Sequence, residues 1–324
     1  MEPKPTLDIR LCSWNIRYDS QPDSITVAQT IASLPDPLLE PPSYYADPKE
    51  HPWSLRRIHI AGELLQQGVN LIGFQEALIR QVTDLHQLLG DDWGWVGVGR
   101  DDGDKAGEYC PVFYRRSVFK VLSSETFWLS DTPFQPSKFP GAGSYRICTA
   151  VQFQAIHSDV TFLHLNTHLD DQSDAQRKLG ASLLLHRANN ASNIPVLITG
   201  DFNSPQSGSN SGAYNIITGG LPPVNISSDF ATKYPIRSST FAAVDLKGAT
   251  PRQHVSGHYA TYTGFSAPAK FASYMRIDFI LGGSNGGWQS KLYQVGNSLY
   301  DNGVWASDHR PVISDVVVKM VEVY

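Results

Sequence analysis

The stretch Pro195-Val196-Leu197-Ile198-Thr199-Gly200-Asp201-Phe202-Asn203-Ser204-Pro205 decides how this chain is to be read. A short apolar run with β-branched residues delivers a glycine, then a carboxylate and an amide two positions apart, then a proline that blocks continuation. The pattern predicts a buried strand that sets polar groups at its carboxyl end. Extended backbone carries positions i and i+2 on one face, so Asp201 and Asn203 are expected to address one point while Phe202 turns into the protein. Partners for them should stand at the ends of other apolar runs.

Such runs recur on both sides. Upstream, Phe162, His164 and Asn166 alternate with Leu163 and Leu165 in a strand over 160–166 that runs into Thr167-His168-Leu169-Asp170. A helix over 174–189 follows, opened by a Ser173-x-x-Gln176 capping box and carrying Leu179, Leu183 and Leu184. Nearer the start, Leu7, Ile9 and Leu11 alternate with polar residues in a strand that ends at Trp14-Asn15. Leu55, Ile58, Ala61, Leu64 and Leu65 recur at helical spacing, with Ser54 as N-cap and Gly68 as C-cap. The strand over 69–75 empties into Glu76, and a helix with Ile79, Val82, Leu85, Leu88 and Leu89 leads to a strand over 93–98. This alternation predicts an α/β fold.

Strand candidates over 110–114, 119–122, 125–129 and 148–155 have no helices between them and predict antiparallel neighbours. Met275-Arg276-Ile277-Asp278-Phe279-Ile280-Leu281 reads as a strand with one carboxylate among apolar residues, and a final strand over 312–318 follows Ser307-Asp308-His309-Arg310-Pro311. Segments 21–52 and 221–273 lack periodicity and are expected to be long surface connections, the first rimming a site, the second offering Tyr259, Tyr262 and Phe265 as a lip. No repeat or linker interrupts residues 1–324, which predicts one domain.

Twenty-six Lys and Arg stand against 31 Asp and Glu, a net charge of −5 that argues against a broad basic surface for nucleic acid. A nuclease that uses a bound cation is not excluded by it. Three cysteines in or beside apolar runs, Cys12, Cys110 and Cys148, predict buried free thiols. No window is long and apolar enough for a membrane span. Met1-Glu2-Pro3-Lys4-Pro5 has no signal-peptide character, so the chain as written reads as intracellular. Secretion after removal of a signal peptide is the alternative, for which Asn190-Ala191-Ser192 and Asn225-Ile226-Ser227 are glycosylation-type triplets.

Strand ends therefore offer Asn15, Glu76, Asn166 with His168, Asp201 with Asn203, and Asp308 with His309, while Asp278 lies within a strand. In an open α/β sheet such groups gather although far apart in sequence. Carboxylate and amide oxygens without cysteine suit a hard cation such as Mg²⁺ or Mn²⁺, and histidines beside them suit proton transfer. The Gly282-Gly283-Ser284-Asn285-Gly286 stretch matches a nucleophile elbow with Asp301 or Asp308 and His309 downstream, but no helix follows and the reading leaves Glu76, Asp201 and Asn203 idle.

Trp14-Asn15-Ile16, Gly73-Phe74-Gln75-Glu76, Asn166-Thr167-His168-Leu169, Gly200-Asp201-Phe202-Asn203, Arg276-Ile277-Asp278-Phe279-Ile280 and Ser307-Asp308-His309-Arg310-Pro311 together resemble the successive motifs of the endonuclease/exonuclease/phosphatase superfamily, in the expected order. The resemblance implies a four-layer DNase I-like α/β sandwich, with two central mixed or antiparallel sheets flanked by helices. It implies a phosphoesterase dependent on Mg²⁺ or Mn²⁺. Glu76 would be the main metal ligand, with Asn15 and Asp308. Asp201 would position or deprotonate water, Asn203 would hold a phosphate oxygen or that water, His309 oriented by Asp278 would contact the phosphate or act in proton transfer, and His168 would stabilise the transition state or the leaving oxygen. Arg17, Arg146 and Asn166 are expected to contact substrate.

Abasic-site endonucleases of the superfamily carry an acidic residue where this chain has Arg17 and a tyrosine near Asn166 to His168, so that role is not expected. The His168 pattern is more similar to the branch of secreted DNases, deadenylase-like enzymes, sphingomyelinases and inositol phosphatases. Hydrolysis of a phosphodiester, in nucleic acid or a small molecule, is the leading expectation. A phosphomonoesterase acting on a sugar, inositol or nucleotide phosphate is the alternative.

Overall fold

A computed structural model describes residues 5–34, 49–266 and 273–320. Among these, the strands are β1 (Thr6–Asn15), β2 (Leu71–Gln75), β3 (Trp93–Val96), β4 (Val112–Arg115), β5 (Phe119–Trp128), β6 (Ile147–Ala155), β7 (Thr161–His168), β8 (Val196–Asp201), β9 (Ala243–Asp245), β10 (Val255–Gly257), β11 (Asp278–Gly283), β12 (Trp288–Val295) and β13 (Val312–Lys319). The α-helices are α1 (Val27–Ala32), α2 (Trp53–Gln67), α3 (Ile79–Leu89), α4 (Asp174–Asn190), α5 (Gly212–Ile217), α6 (Ser228–Lys233) and α7 (Leu246–Ala249). The strands form two mixed sheets, in the orders β10-β12-β13-β1-β2-β4-β3 and β5-β6-β7-β8-β11-β9. Each has one parallel pair among the strands nearest the site, β1 with β2 and β7 with β8.

Strand alternation builds the layers. In β1, Leu7, Ile9 and Leu11 point at the second sheet, where they meet Val151, Phe153, Leu197 and Ile280, while Cys12 and Trp14 point outward. The outward face is covered by Trp53, Ile60 and Leu64 of α2 and Val82 and Leu85 of α3. In the second sheet, Leu163, Leu165 and Ile198 turn the other way, against Leu179, Leu183 and Leu184 of α4. The result is the α/β sandwich with helices on both outer faces. The three cysteines are buried and free, and no helix of the described residues is long and apolar enough to cross a membrane.

Local readings differ from this in four places. Helix α2 begins after Pro52, not with Ser54 as cap, and Leu55 and Leu65 are exposed. Arg56 and Arg57 take the buried face, because their guanidiniums meet the carbonyls of Ile16 (2.8 Å) and Ala306 (2.9 Å) and the carboxylate of Asp84 (2.7 Å). Only half of the capping box on α4 forms: Ser173 accepts from the Gln176 N–H, but the Gln176 side chain bonds Asp170 and Leu129. The two strand candidates over 119–129 are one strand with an irregularity between Val121 and Ser123. The expected long connections hold structure of their own, α1 with a Thr26–Gln29 capping box in the first, and α6, β9, α7 and β10 in the second. Parts of both, 35–48 and 267–272, lie outside the described residues.

Near one edge the layer between the sheets turns polar, and Gly73 on β2 is what lets the sheets approach there. A Cβ at Gly73 would lie 2.3 Å from Thr199 Oγ1 and 2.4 Å from Asn166 Oδ1, so one sheet must move or a buried hydrogen bond must break. Gly73→Ala is expected to destabilise the fold by about 1–3 kcal/mol, read as a lower urea midpoint; an unchanged midpoint would show that this contact is soft.

Candidate active site

The two parallel strand pairs end at the same edge, and the antiparallel β11 begins there. Asn15 therefore stands at the end of β1, Glu76 just past β2, His168 at the end of β7 and Asp201 at the end of β8. Strand register places His168 and Asp278 on either side of Asp201. The loop before β13 adds Asp308 and His309. Glu76, His168, Asp201, Asp308 and His309 line a cleft of about 490 Å³ with Arg17, Arg100, Glu108, Arg146, Asn203 and Tyr262, while Asn15 and Asp278 lie buried behind it.

Four non-glycine residues among those described have positive φ, and three lie here: Arg17 (56°), Glu76 (61°) and Asn203 (46°). Backbone of this kind is held in place by its surroundings. Strand β8 stops at Asp201, and Asn203 reaches the cleft through a turn in which its N–H donates to Asp201 Oδ1 (2.9 Å), not through continued strand alternation. Phe202 is buried as expected.

Asn15 occupies the centre. Its amide nitrogen donates to Glu76 Oε1 (2.9 Å) and Asp201 Oδ2 (3.1 Å), while its oxygen accepts from the Arg17 N–H (2.8 Å). In this arrangement Asn15 links carboxylates of the two sheets. The Tyr18 N–H completes Glu76 (3.0 Å). Asp201 sits between two imidazoles, 3.5 Å from His168 Nε2 and 3.7 Å from His309 Nε2. His309 Nδ1 is 2.9 Å from Asp278, and its ring packs on Tyr262 at 4.9 Å. The Asn203 amide nitrogen lies 3.0 Å from His168 Nε2 and donates to the Leu169 carbonyl, which leaves the His168 proton on Nδ1, 3.9 Å from Glu108.

Burial works on every one of these groups. With the charge of Asp278 it pushes the Asp201 carboxyl up to about 7, and with the charge of Glu76 it pushes Glu108 up to about 7. Asp308 is raised by burial and by Glu76. Glu76 goes the other way, since the Asn15 amide, His309 and the Tyr18 N–H outweigh burial. Burial opposes the charged form of His309, but Asp278 and Asp201 override it and push the imidazole up to about 10. His168 is held well below its ordinary value by burial and by Arg146 and Arg100.

The carboxyls of Glu76 and Asp308 line one cleft and offer hard oxygens, and burial and the charge of Glu76 raise Asp308, a donor set that fits a divalent cation. Glu76, His168 and Asp201 bring one donor atom each within 4.8 Å of one another, as do Asp201, Asp278 and His309.

Not every expected residue is in the cleft. Asn166 is fully buried between the sheets, where its amide donates to the carbonyls of Phe74 (2.7 Å) and Pro111 (3.0 Å) and accepts from Gln75 (2.7 Å) and Thr199 (3.0 Å). It has nothing left for substrate, and its role is to join the backbone before Glu76 to the strand that carries His168. Arg146 does line the cleft, fastened by Asp170 (3.2 Å) and Asp171 (2.7 Å). Arg17 lies over the Tyr18 ring (4.3 Å). Ser284 of the elbow-like stretch lies past the far end of β11 from Asp278, hydrogen-bonded to Ala242, which removes the serine-hydrolase reading. Arg100 and Glu108 were illegible in sequence, because they flank an acidic glycine-rich turn that looks like ordinary surface loop.

The profile of the Endonuclease/Exonuclease/phosphatase family matches residues 12–309. Among solved structures, an endonuclease/exonuclease/phosphatase from Bacteroides vulgatus is 26% identical, with a TM-score of 0.75 over 96% of this chain and 99% of that one. A mannosyl-6-phosphatase from Bacteroides thetaiotaomicron is 23% identical, with a TM-score of 0.69 over 95% and 99%. The human Nocturnin catalytic domain with bound sulfate is 16% identical, with a TM-score of 0.60 over 97% and 96%. None of the curated proteins matches the chain.

The raised groups share a sign. Asp201 and Glu108 hold protons in the folded chain up to about 7, and His309 up to about 10. Unfolded, they release them near about 4 and about 6.5. The stability they contribute is whole below the unfolded values and is lost as pH rises through the folded ones. A divalent cation competes with the carboxyl protons. The rise in melting temperature on adding Mg²⁺ or Mn²⁺ to chelator-treated protein should therefore be larger at about pH 7.5 than at about pH 5.5. Equal rises at the two would place the cation away from this cluster.

Proposed function

The chain belongs to the endonuclease/exonuclease/phosphatase family, whose members act on phosphate esters, and from that premise we propose that it is a divalent-metal-dependent phosphoesterase that hydrolyses a small phosphate ester. The observation that carries this is the position of Asp201, held by Asn15 between the imidazoles of His168 and His309. A carboxyl pushed up to about 7 is matched to taking a proton near neutrality.

Glu76 and Asp308, with Asn15 beside Glu76, would hold the cation, Mg²⁺ or Mn²⁺, which when bound would neutralise phosphoryl charge and ease deprotonation of water. Asp201 accepts the proton of the attacking water, which the Asn203 amide orients. Asp278 keeps His309 charged and aimed at a phosphoryl oxygen, where its Nε2–H stabilises developing charge. His168 faces the leaving oxygen, and Arg17 receives a non-bridging oxygen.

Charge layout favours a monoester of a small molecule over the diester that the sequence alone placed first. Among the described residues no lysine lines the cleft, and Arg100 and Arg146 are both paired with carboxylates there, so these residues form no basic track for a polymer. A solved structure of this fold is named a mannosyl-6-phosphatase, which is in keeping with monoester chemistry on the scaffold.

Phosphate release from a monoester and product release from a matched diester should be measured with Mg²⁺ or Mn²⁺ and again with chelator. Turnover of the monoester should vanish with chelator, and Asp201→Asn or His309→Gln should each lower kcat by roughly 10²–10⁴. Faster turnover of the diester would restore the diester reading, and metal-independent turnover would overturn the mechanism.

A further inference from the structure

Beyond His168 the cleft wall consists of two guanidinium–carboxylate pairs. Arg100 Nη1 is 2.5 Å from Glu108 Oε2, and Arg146 Nη2 is 2.7 Å from Asp171 Oδ1. The supports of both pairs are fixed. Trp128 Nε1 donates to the Arg100 carbonyl (2.7 Å), and Asp170 takes the N–H groups of Gly143 and Ser173 as well as Arg146 Nε. Arg146 is buried, while the side chain of Asp171 is 53% exposed at the mouth. The same cleft is also lined by Tyr262, Met275 and Ile277, which form its apolar part.

Each guanidinium charge is matched by a carboxylate, so the wall has little to attract a second phosphate or a polyanion. What it offers is N–H donors and carboxylate acceptors side by side. A hydroxyl is the group that uses both at once, giving its proton to the carboxylate and accepting from the guanidinium. Two adjacent pairs suit a run of neighbouring hydroxyls. The apolar wall suits the C–H face of a ring, which can lie on Tyr262 and Met275. A cleft of about 490 Å³ is within the range for a small-molecule site.

We infer that the group esterified to the phosphate is a ring polyol, a sugar or cyclitol, read by the Arg100–Glu108 and Arg146–Asp171 pairs against the Tyr262 and Met275 wall. This rests on the phosphoesterase reading. Neither pair has a part in the proton transfer assigned to Asp201 or in the roles of His168 and His309. Their work is to position the leaving group.

The test compares kcat/KM for a hexose 6-phosphate and an inositol monophosphate with that for phenyl phosphate and a nucleoside 5′-monophosphate, in the wild-type chain, Asp171→Ala, Asp171→Asn and Arg100→Met. Ratios of substrates within one variant cancel any general loss of folded enzyme. The ratio of polyol phosphate to phenyl phosphate should fall about tenfold or more in Asp171→Ala and Arg100→Met, chiefly through KM, since each removes a charged partner of a hydroxyl. Asp171→Asn, which keeps an acceptor, should recover part of it. Ratios that do not move, or a wild-type preference for the nucleotide, would overturn the polyol inference and leave the phosphoesterase reading standing. Absence of turnover on all four esters would remove that reading, and this inference with it.

Discussion

One primary amide joins the two sheets where their polar ends meet. Asn15 belongs to the first sheet, and its nitrogen holds both Glu76 of that sheet and Asp201 of the other. Carboxylates brought this close and this deep repel one another and lose hydration, and the folded chain tolerates them only because donors are supplied in fixed positions. The Arg17 N–H fixes the Asn15 oxygen, so the amide cannot rotate away. Everything functional in the cleft is set relative to that bridge.

A second amide sits beneath the first. Asn166 bonds the carbonyls of Phe74 and Pro111 and the side chains of Gln75 and Thr199, so the segment that delivers Glu76 and the strand that delivers His168 share one hub. Gly73 makes the hub possible by leaving room for it. Buried polar networks of this kind favour one register, because a shifted register leaves several groups unsatisfied at once. Arg56 does related work on the outer side, where its guanidinium gathers the carbonyls of Ile16 and Ala306 and so holds the loop of Arg17 next to the loop of Asp308.

Electrostatics divides the cleft into two zones. Around Asp201 negative charge is in excess, which raises the carboxyls and prepares them for a cation and for proton transfer. Around Arg146 each guanidinium is met by at least one carboxylate, which produces hydrogen-bonding capacity without strong attraction for anions. Chemistry is suited to the first zone and recognition to the second. The two touch at His168, which lies within 3.5 Å of Asp201 and 3.9 Å of Glu108.

Short-range rules made much of this legible. Alternation in Leu7, Ile9 and Leu11 and the apolar run over 196–198 specify strands whose polar ends are Asn15 and Asp201, because side-chain period follows directly from backbone geometry. The motif order then pointed to the layered fold and to Glu76, His168, Asp278, Asp308 and His309. Tertiary structure alone decided the rest. Asn166 looks like any strand-end polar residue until the sheets pack, when position between layers makes it a hub and not a ligand. Arg56 and Arg57 look like the solvent face of α2 until buried carbonyls and Asp84 claim them. Arg100, Glu108 and Asp171 become a cleft wall only because loops far apart in sequence are brought together by the sheets. The chain by itself determined which strands end in polar groups; packing decided which of those groups face one another, because contacts across sheets depend on the pairing of distant strands and have no local signature.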